Sequence, residues 1–312
     1  MDRLEEMRTF VKVVESGSIT GAAERLGIAK SAVSRRLADL EGRLSVQLFR
    51  RTTRTLSLTD TGASFHERCL RILADVEEAE LAVSQAHGTL RGRLRVAVPL
   101  SFGLRHLGPA IDAFLRDHPE VEFDLDLNDR QVDLLAEGFD LAVRIAELRD
   151  STLIARRLAP VRMVVCASPG YLARHGTPGT AATLADHACL VYSNAPTPGL
   201  WEYVDPAGRP GRVQVRARIQ ANNGDCLREA AEDGHGIVRG PSFILHQAIE
   251  AGRLRPILRD HRWPTLHAHA VYPRTRHLSQ RVRAFVDFLV ERFAGVPYWD
   301  RCLEEGKTPP TL

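Results

Sequence analysis

Ser18-Ile19-Thr20-Gly21-Ala22-Ala23-Glu24-Arg25-Leu26-Gly27-Ile28-Ala29-Lys30-Ser31-Ala32-Val33-Ser34-Arg35-Arg36-Leu37-Ala38-Asp39-Leu40-Glu41 is the stretch whose reading decides the fold. Ala22, Ala23 and Leu26 share the inward face of a short helix, Gly27 supplies a tight turn, and Ile28 plugs the core beneath it. A second helix runs from about Ala29 to Leu44, with Val33, Leu37, Leu40 and Leu44 as its buried stripe. Stepping round this helix from Val33 places Ser31, Arg35 and Ala38 on the opposite face, with Ser34 and Arg36 flanking them. Small, hydroxyl and guanidinium side chains on one exposed helical face suit a DNA major groove. Small residues permit close approach, hydroxyls bond phosphates or base edges, and an arginine grips a guanine with two bonds.

Outward from this pair, Leu4, Met7, Phe10, Val11 and Val14 lie on one face of an opening amphipathic helix that Ser16-Gly17-Ser18 breaks. On the other side, residues 49–59 turn β-branched and alternating, which reads as a small hairpin, the wing of a helix-turn-helix. Residues 25–54 carry eight basic side chains (Arg25, Lys30, Arg35, Arg36, Arg43, Arg50, Arg51, Arg54) against Asp39 and Glu41, a local net charge of +6 in a chain whose total is only +3. The positive charge is therefore concentrated on this segment, as phosphate binding requires. Lys30, Ser31, Ser34, Arg35 and Arg36 are the expected DNA-contacting residues of the helix, and Arg50, Arg51 and Arg54 those of the wing. The other reading of each feature alone is a solvated face on a small helical bundle.

From Thr61 a long helix follows in which Phe65, Cys69, Ile72, Val76, Ala79, Val83 and Ala86 repeat at alternating spacings of four and three. This two-position stripe is narrower than that of a helix facing its own core, and favours pairing with a second chain. Gly88 and Gly92 mark the junction beyond it. The rest alternates strands with helices: strands at 94–98, 121–127 and 140–145, helices around 111–115 and 134–135, similar units at 163–166, 213–219, 237–238 and 266–272, and a last amphipathic helix carrying Val282, Phe285, Val286, Leu289 and Phe293. That order predicts an α/β domain with a mainly parallel sheet covered by helices.

With 44% hydrophobic residues in 312, the chain can bury substantial cores. The scattered Cys69, Cys166, Cys189, Cys226 and Cys302 form no C-x-x-C pair and read as reduced thiols of a cytosolic protein. Met1-Asp2-Arg3-Leu4-Glu5-Glu6 lacks the apolar core of a signal peptide, and no apolar run is long enough to span a bilayer, so a cytoplasmic location away from membranes is expected.

Residues 18–41, with Leu48-Phe49-Arg50-Arg51-Thr52-Thr53-Arg54 and Leu58-Thr59-Asp60-Thr61-Gly62, resemble the LysR-type transcription regulators. The resemblance extends through Asp140-Leu141-Ala142-Val143-Arg144, Ala167-Ser168-Pro169-Gly170-Tyr171-Leu172 and Arg281-Val282-Arg283-Ala284-Phe285. It implies a winged helix-turn-helix over 1–60, a dimerising linker helix over 61–90, and over 91–312 a two-lobed effector domain of the periplasmic-binding-protein type. By the same resemblance lobe one is 91–163 plus 264–300, and lobe two is 164–263. Ser45 departs from the pattern, which has glycine after Glu-x-x-Leu, and so loses the easy left-handed helix cap.

In such a fold the ligand lies between the lobes, facing loops at strand ends. Ser101 would offer a hydroxyl, and Phe102 and Gly103 backbone donors, to an anion at a helix N-terminus; an ordinary helix cap is the other reading. Arg144 ends a strand near the cleft, or pairs with an acid such as Glu147. Ser168, Ser193, Asn194, Asn222 and Asn223 lie on facing loops as hydrogen-bonding groups or plain turn residues. Arg239 stands where the family pattern is aliphatic and asks for an anion, either a ligand carboxylate or a structural acid. The expected effector-binding residues are thus Ser101, Phe102, Gly103, Arg144, Ser168, Asn222, Asn223 and Arg239. The expected partners are promoter or operator DNA, a small organic acid, and further copies of the chain in a homodimer or homotetramer joined through Phe65, Cys69, Ile72, Val76, Ala79 and Val83.

An enzyme or a cytosolic small-molecule-binding protein of the same two-lobed fold is the rival reading. No G-x-S-x-G, dinucleotide-binding glycine pattern or phosphate-binding loop occurs. His267 and His269 share a strand face with only His261 as a neighbouring ligand type, which is too few for a metal site, so no metal or cofactor is expected.

Overall fold

The computed structural model describes residues 2–51, 56–84, 90–130, 132–147, 153–274 and 278–304. The chain forms two compact units that divide near residue 88. In the first, α1 (Arg3–Ser16) is capped by Asp2, whose carboxylate accepts from the Leu4 N–H at 2.9 Å, and is closed by Gly17 in the left-handed region. Ser18 caps α2 (Ile19–Leu26) in the same way, with Gly27 as the left-handed stop. These are the side-chain and backbone partners that free helix ends need. Helix α3 (Lys30–Leu44) ends on Ser45, which keeps the left-handed conformation at φ 54° despite its side chain. The wing is β1 (Phe49–Arg51) paired antiparallel with β2 (Leu56–Leu58). Phe10, Val13, Ala22, Val33, Leu37, Leu40 and Leu48 are fully buried at the centre of this head. Each of these valine, leucine and phenylalanine side chains contributes roughly 1.5–3 kcal/mol on burial.

Two polar residues hold the head's segments in register. The Glu41 carboxylate accepts from the backbone N–H groups of Leu48 and Phe49 at 2.7 and 3.2 Å, fixing how the chain leaves α3 for the wing. Thr59 donates its hydroxyl to the Gln47 carbonyl at 2.8 Å and accepts from the Gly62 N–H at 2.9 Å, so it caps α4 (Asp60–Ser84) while tying it to the wing. A Cβ on Gly62 would stand 2.0 Å from the Leu48 carbonyl oxygen, which is why the Thr-x-x-Gly sequence needs its glycine.

The second unit holds β3 (Arg91–Val98), α5 (Leu100–Phe102), a π-turn at Gly103–Leu107, α6 (Gly108–Asp117), β4 (Glu120–Leu127), α7 (Leu134–Glu137), β5 (Leu141–Ala146) and β6 (Leu153–Ala167). It continues with α8 (Pro169–His175), β7 (Ala188–Tyr192), β8 (Leu200–Val204), β9 (Pro210–Gln214), β10 (Arg216–Ala221), α9 (Gly224–Glu232), β11 (Ile237–Pro241), α10 (Ser242–Glu250), β12 (Arg255–Pro256), β13 (Thr265–Pro273), α11 (Gln280–Arg292) and α12 (Arg301–Glu304). The strands run in the order β10-β7-β11-β6-β13-β5-β3-β4, with β12 beside β6. The long strand β6 changes partner along its length. Up to Arg162 it pairs with β13, and from Met163 with β11. It therefore belongs to two half-sheets, each with its own helices.

The expectation of a mainly parallel sheet is corrected here. β3 is parallel to β4 and β5, and β7 to β10 and β11, but β6 and β13 run antiparallel to their neighbours where the chain crosses between halves. The segment expected as one strand over 213–219 is likewise two. β9 pairs with β8 in a separate hairpin, and β10 joins the main sheet.

Candidate nucleic-acid interface and effector cleft

On α3 the exposed face carries Ser31, Arg35 and Ala38, with Lys30 exposed at the helix start and Ser34 half-buried. Arg36 does not join them. Its guanidinium meets Glu5 at 3.0 Å and the Thr9 hydroxyl at 3.1 Å, both on α1. One turn pair further on, Arg43 meets the buried Glu6 at 2.6 Å. The two arginines, seven residues apart on one side of α3, are α1–α3 ties, so the expected DNA role of Arg36 is corrected to a structural one. The signal was in the helical geometry: Arg36 lies nearer the buried Val33 than the face opposite it. On the wing, Arg50 is exposed and pairs in register with Ser57; Arg51 ends β1, and Arg54 lies outside the described residues.

Helix α4 divides its apolar stripe. Phe65 packs on Phe10 with ring centroids 5.5 Å apart, and Cys69 is wholly buried in the head's core with Leu73 beside it. Burial pushes the Cys69 thiol up to about 12. Cys69 is therefore not available to a second chain and Phe65 is half-buried against the head, which corrects the upper part of the expected seam. Ile72 is 39% exposed and Leu70 38%; Val76 is half-buried, and Ala79 and Val83 continue the helix.

In the second unit the strand ends of the two half-sheets face one another across a cavity of about 630 Å³ lined by Asn128, Asp129 and Arg130 after β4, Asn194 after β7 and Asn222 after β10. The Asn194 side-chain amide donates across it to the Asp129 carbonyl at 3.3 Å. The Asp129 carboxylate accepts from the Leu100 N–H at 3.0 Å, so it occupies the first position at the helix start where an anion was expected. Burial raises its pKa, the Leu100 N–H opposes that rise, and the nearby charge of Asp225 adds to it. Arg130 meets Asp126 at 3.2 Å. The hydroxyls of Ser101, at the head of α5, and Ser242, at the head of α10, are buried without a protein partner among the described residues.

Several expected effector residues have other partners. Phe102 is wholly buried, with its ring edge-to-face on Phe243, and the Gly103 N–H bonds to the Pro99 carbonyl at 2.8 Å. Arg144 donates to the Val132 carbonyl at 2.8 Å. Ser168 caps α8 by accepting from Tyr171, and Asn223 caps α9 by accepting from Cys226 at 3.0 Å. Arg239 shares the face of β11 that carries Ile237. Its guanidinium lies 5.3 Å from the Trp201 ring centre. Burial draws its pKa down to about 10, with the charge of Glu202 opposing the shift, and its Nε is buried without a hydrogen-bond partner among the described residues. Asn222 alone of the expected set lines the open cavity, and Ser101 is buried at the head of α5. Asn128, Asp129 and Arg130 were missed, although they follow directly on the alternating strand at 121–127.

A winged helix-turn-helix joined to an effector domain of two half-sheets defines a class of regulator that the comparisons identify. Residues 4–63 match the bacterial regulatory helix-turn-helix proteins of the lysR family, and residues 87–294 match the LysR substrate binding domain. The chain belongs to the LysR family of DNA-binding transcription regulators. It is 38% identical over 288 residues to the HTH-type transcriptional regulator CrgA of Neisseria meningitidis serogroup C, covering 92% of this chain and 96% of that one. The solved structure of CrgA from Neisseria meningitidis superposes with a TM-score of 0.61 over 93% of this chain and 99% of that one, at 38% identity. The full-length structure of the Vibrio cholerae virulence activator AphB superposes with a TM-score of 0.60 at 28% identity, covering 94% of this chain and all of that one. Among the described residues no helix is long and apolar enough to cross a membrane.

Proposed function

We propose that this regulator reads promoter DNA with the Ser31–Arg35–Ala38 face of α3 and answers to a small organic acid bound between the two halves of its second unit. The observation that carries the first part is that face itself: exposed, free of large apolar groups, and set within a strongly basic segment of the chain. Lys30, Ser31, Ser34 and Arg35 enter the major groove, and Arg50, with Arg51 and Arg54, grips the flanking phosphates. Ile72, Val76, Ala79 and Val83 join two copies into the dimer, or the dimers into a tetramer, that spans two half-sites. The regulator acts in the cytoplasm, where the promoter is, and does so by binding; its DNA-reading head favours this over an enzyme or a free solute-binding protein of the same fold.

The halves of the second unit are the two lobes, 91–163 with 264–300 and 164–263. The effector's carboxylate takes Arg130 and the amides of Asn128, Asn194 and Asn222. Asp129 faces the same cavity with its carboxylate, so an acid that also bears a hydroxyl or amino group fits better than a plain one. The buried Ser101 and Ser242 hydroxyls, at the heads of α5 and α10, supply further bonds. Gel shift on the DNA beside the protein's own gene tests the first part, with retardation that unlabelled random DNA does not compete away as the expected result. Thermal shift against a panel of hydroxy, amino and plain acids tests the second. The best acid is expected to lose its effect with Asn222→Ala and to keep it with Arg239→Leu. Unchanged binding to Asn222→Ala places the effector elsewhere.

A further inference from the structure

The helix that leaves the end of β3 is irregular. Between α5 and α6, Gly103–Leu107 form a π-turn, a local insertion that costs helix regularity and occurs mostly where function requires a side chain to be re-aimed. A glycine bounds it on each side: a Cβ on Gly103 would lie 2.6 Å from Leu127 Cδ2, and one on Gly108 3.4 Å from the Gly103 carbonyl oxygen. The turn presents two consecutive side chains, Arg105 and His106, to elements of the other half. Arg105 donates to the Asp225 carboxylate at 2.6 Å, in the first turn of α9, and to the Gln247 side-chain oxygen at 3.0 Å, on α10. His106 Nε2 lies 3.3 Å from the Phe243 carbonyl, to which it donates, and its Nδ1 then accepts from the Tyr298 hydroxyl. Burial holds the His106 pKa down to about 4, so the ring stays neutral in this arrangement. Trp299, wholly buried, closes the cluster with its ring centre 4.5 Å from that of His106.

The side chains of Arg105 and Asp225 are only 24% and 22% exposed, and a charge-assisted bond in such surroundings is stronger than one on an open surface. Removing Asp225 leaves the Arg105 guanidinium half-buried with only the Gln247 oxygen, while removing Arg105 leaves Asp225 with Arg228 at 3.5 Å on its own helix and no partner charge from the other half. Asp225 also stands three residues beyond the cavity-lining Asn222, and its charge is felt at Asp129. The pair therefore sits at the rim of the cleft rather than at a remote joint.

We propose that Arg105 and His106, presented by the π-turn, form a clasp that holds the two halves together along α9 and α10, so that the halves part only when the Arg105–Asp225 pair opens. The clasp sets the resting state on which an effector acts: a ligand shifts the halves only by its difference in affinity between clasped and parted states. This rests on reading the halves as effector lobes, and not on the head or on the effector's identity.

Energy transfer between dyes on Asp117→Cys, exposed in α6, and Ala207→Cys, exposed between β8 and β9, measures the separation of the halves. Cys226 and Cys302 are replaced by serine, and the full-length labelled chain is diluted into unlabelled protein. The parent is expected to give one narrow efficiency. Arg105→Ala and Asp225→Asn are each expected to lower and broaden it, Arg105→Lys to lower it less, and the Arg105→Ala/Asp225→Asn double variant to move it no further than the larger single change. Asp225→Asn is nearly isosteric, so it answers even if Arg105→Ala fails to fold. Efficiencies that stay at the parent value in Asp225→Asn, or a double variant that sums the two single effects, overturn the clasp. Failure of the effector-cleft reading appears separately, as acid binding that Asn222→Ala does not touch.

Discussion

Ser45 occupies a conformation that its side chain resists. A non-glycine residue in the left-handed region costs roughly 1–2 kcal/mol, and nothing bonded to the Ser45 hydroxyl offsets that among the described residues. Ser45→Gly is expected to raise the head's stability by about 1 kcal/mol, read as a higher unfolding midpoint; an unchanged midpoint would mean that the cap carries no strain. His106 makes a second residue-scale case. Its folded pKa, held at about 4 against 6.5 for a free imidazole, means that between these values the unfolded chain takes a proton and the folded chain does not. The stability tied to the neutral ring is thus whole above the free value and is lost as pH falls from there towards 4. Urea unfolding of the second unit is expected to show the parent losing about 2 kcal/mol more than His106→Gln between about pH 7 and about pH 5. Equal losses in both proteins would place the acid sensitivity on other groups.

At the scale of elements, α4 shows why one sequence pattern serves two ends. The spacing of Phe65, Cys69, Ile72 and Val76 is uniform, so the sequence offers no sign that the first two are claimed by Phe10 and the head's core. What decides it is the dock that Thr59 and Gly62 build against the wing, which sets the helix's direction and so the side its first turns present to the core. Below that dock a charge on the stripe has no head core to disrupt but would fall on the proposed seam with a second chain. Val76→Asp is expected to lower the oligomer's mass in sedimentation and weaken operator binding while the head's melting transition is kept. An intact oligomer moves the interface off α4. Strand β6 was legible only from 163 onward because Pro160 lies within it, and a proline lacks the N–H that a central strand normally uses.

For the whole molecule, the head could be read almost residue by residue, because helix period, turn glycine and local charge all act over short distances in sequence. The second unit could be read as alternating strands and helices but not as a mixed sheet, since strand direction follows from the crossings at β6 and β13, which join residues about a hundred positions apart. The cleft was half legible. Asn222 follows from the rule that ligands meet strand ends, whereas the placement of the Arg239 guanidinium over the Trp201 ring depends on a hairpin thirty-odd residues away in sequence. The exposed face of α3 is proposed to read sequence, while Arg36 and Arg43 on its other side tie α3 to α1 and hold the head together. The most direct measurement is the affinity of Arg35→Ala and Arg36→Ala for operator and for random DNA, beside the melting of each head. Arg35→Ala is expected to lose roughly 1–3 kcal/mol on operator, far less on random DNA, and nothing in melting, while Arg36→Ala lowers the melting midpoint. An Arg35→Ala variant that loses as much on random DNA as on operator would contradict the claim.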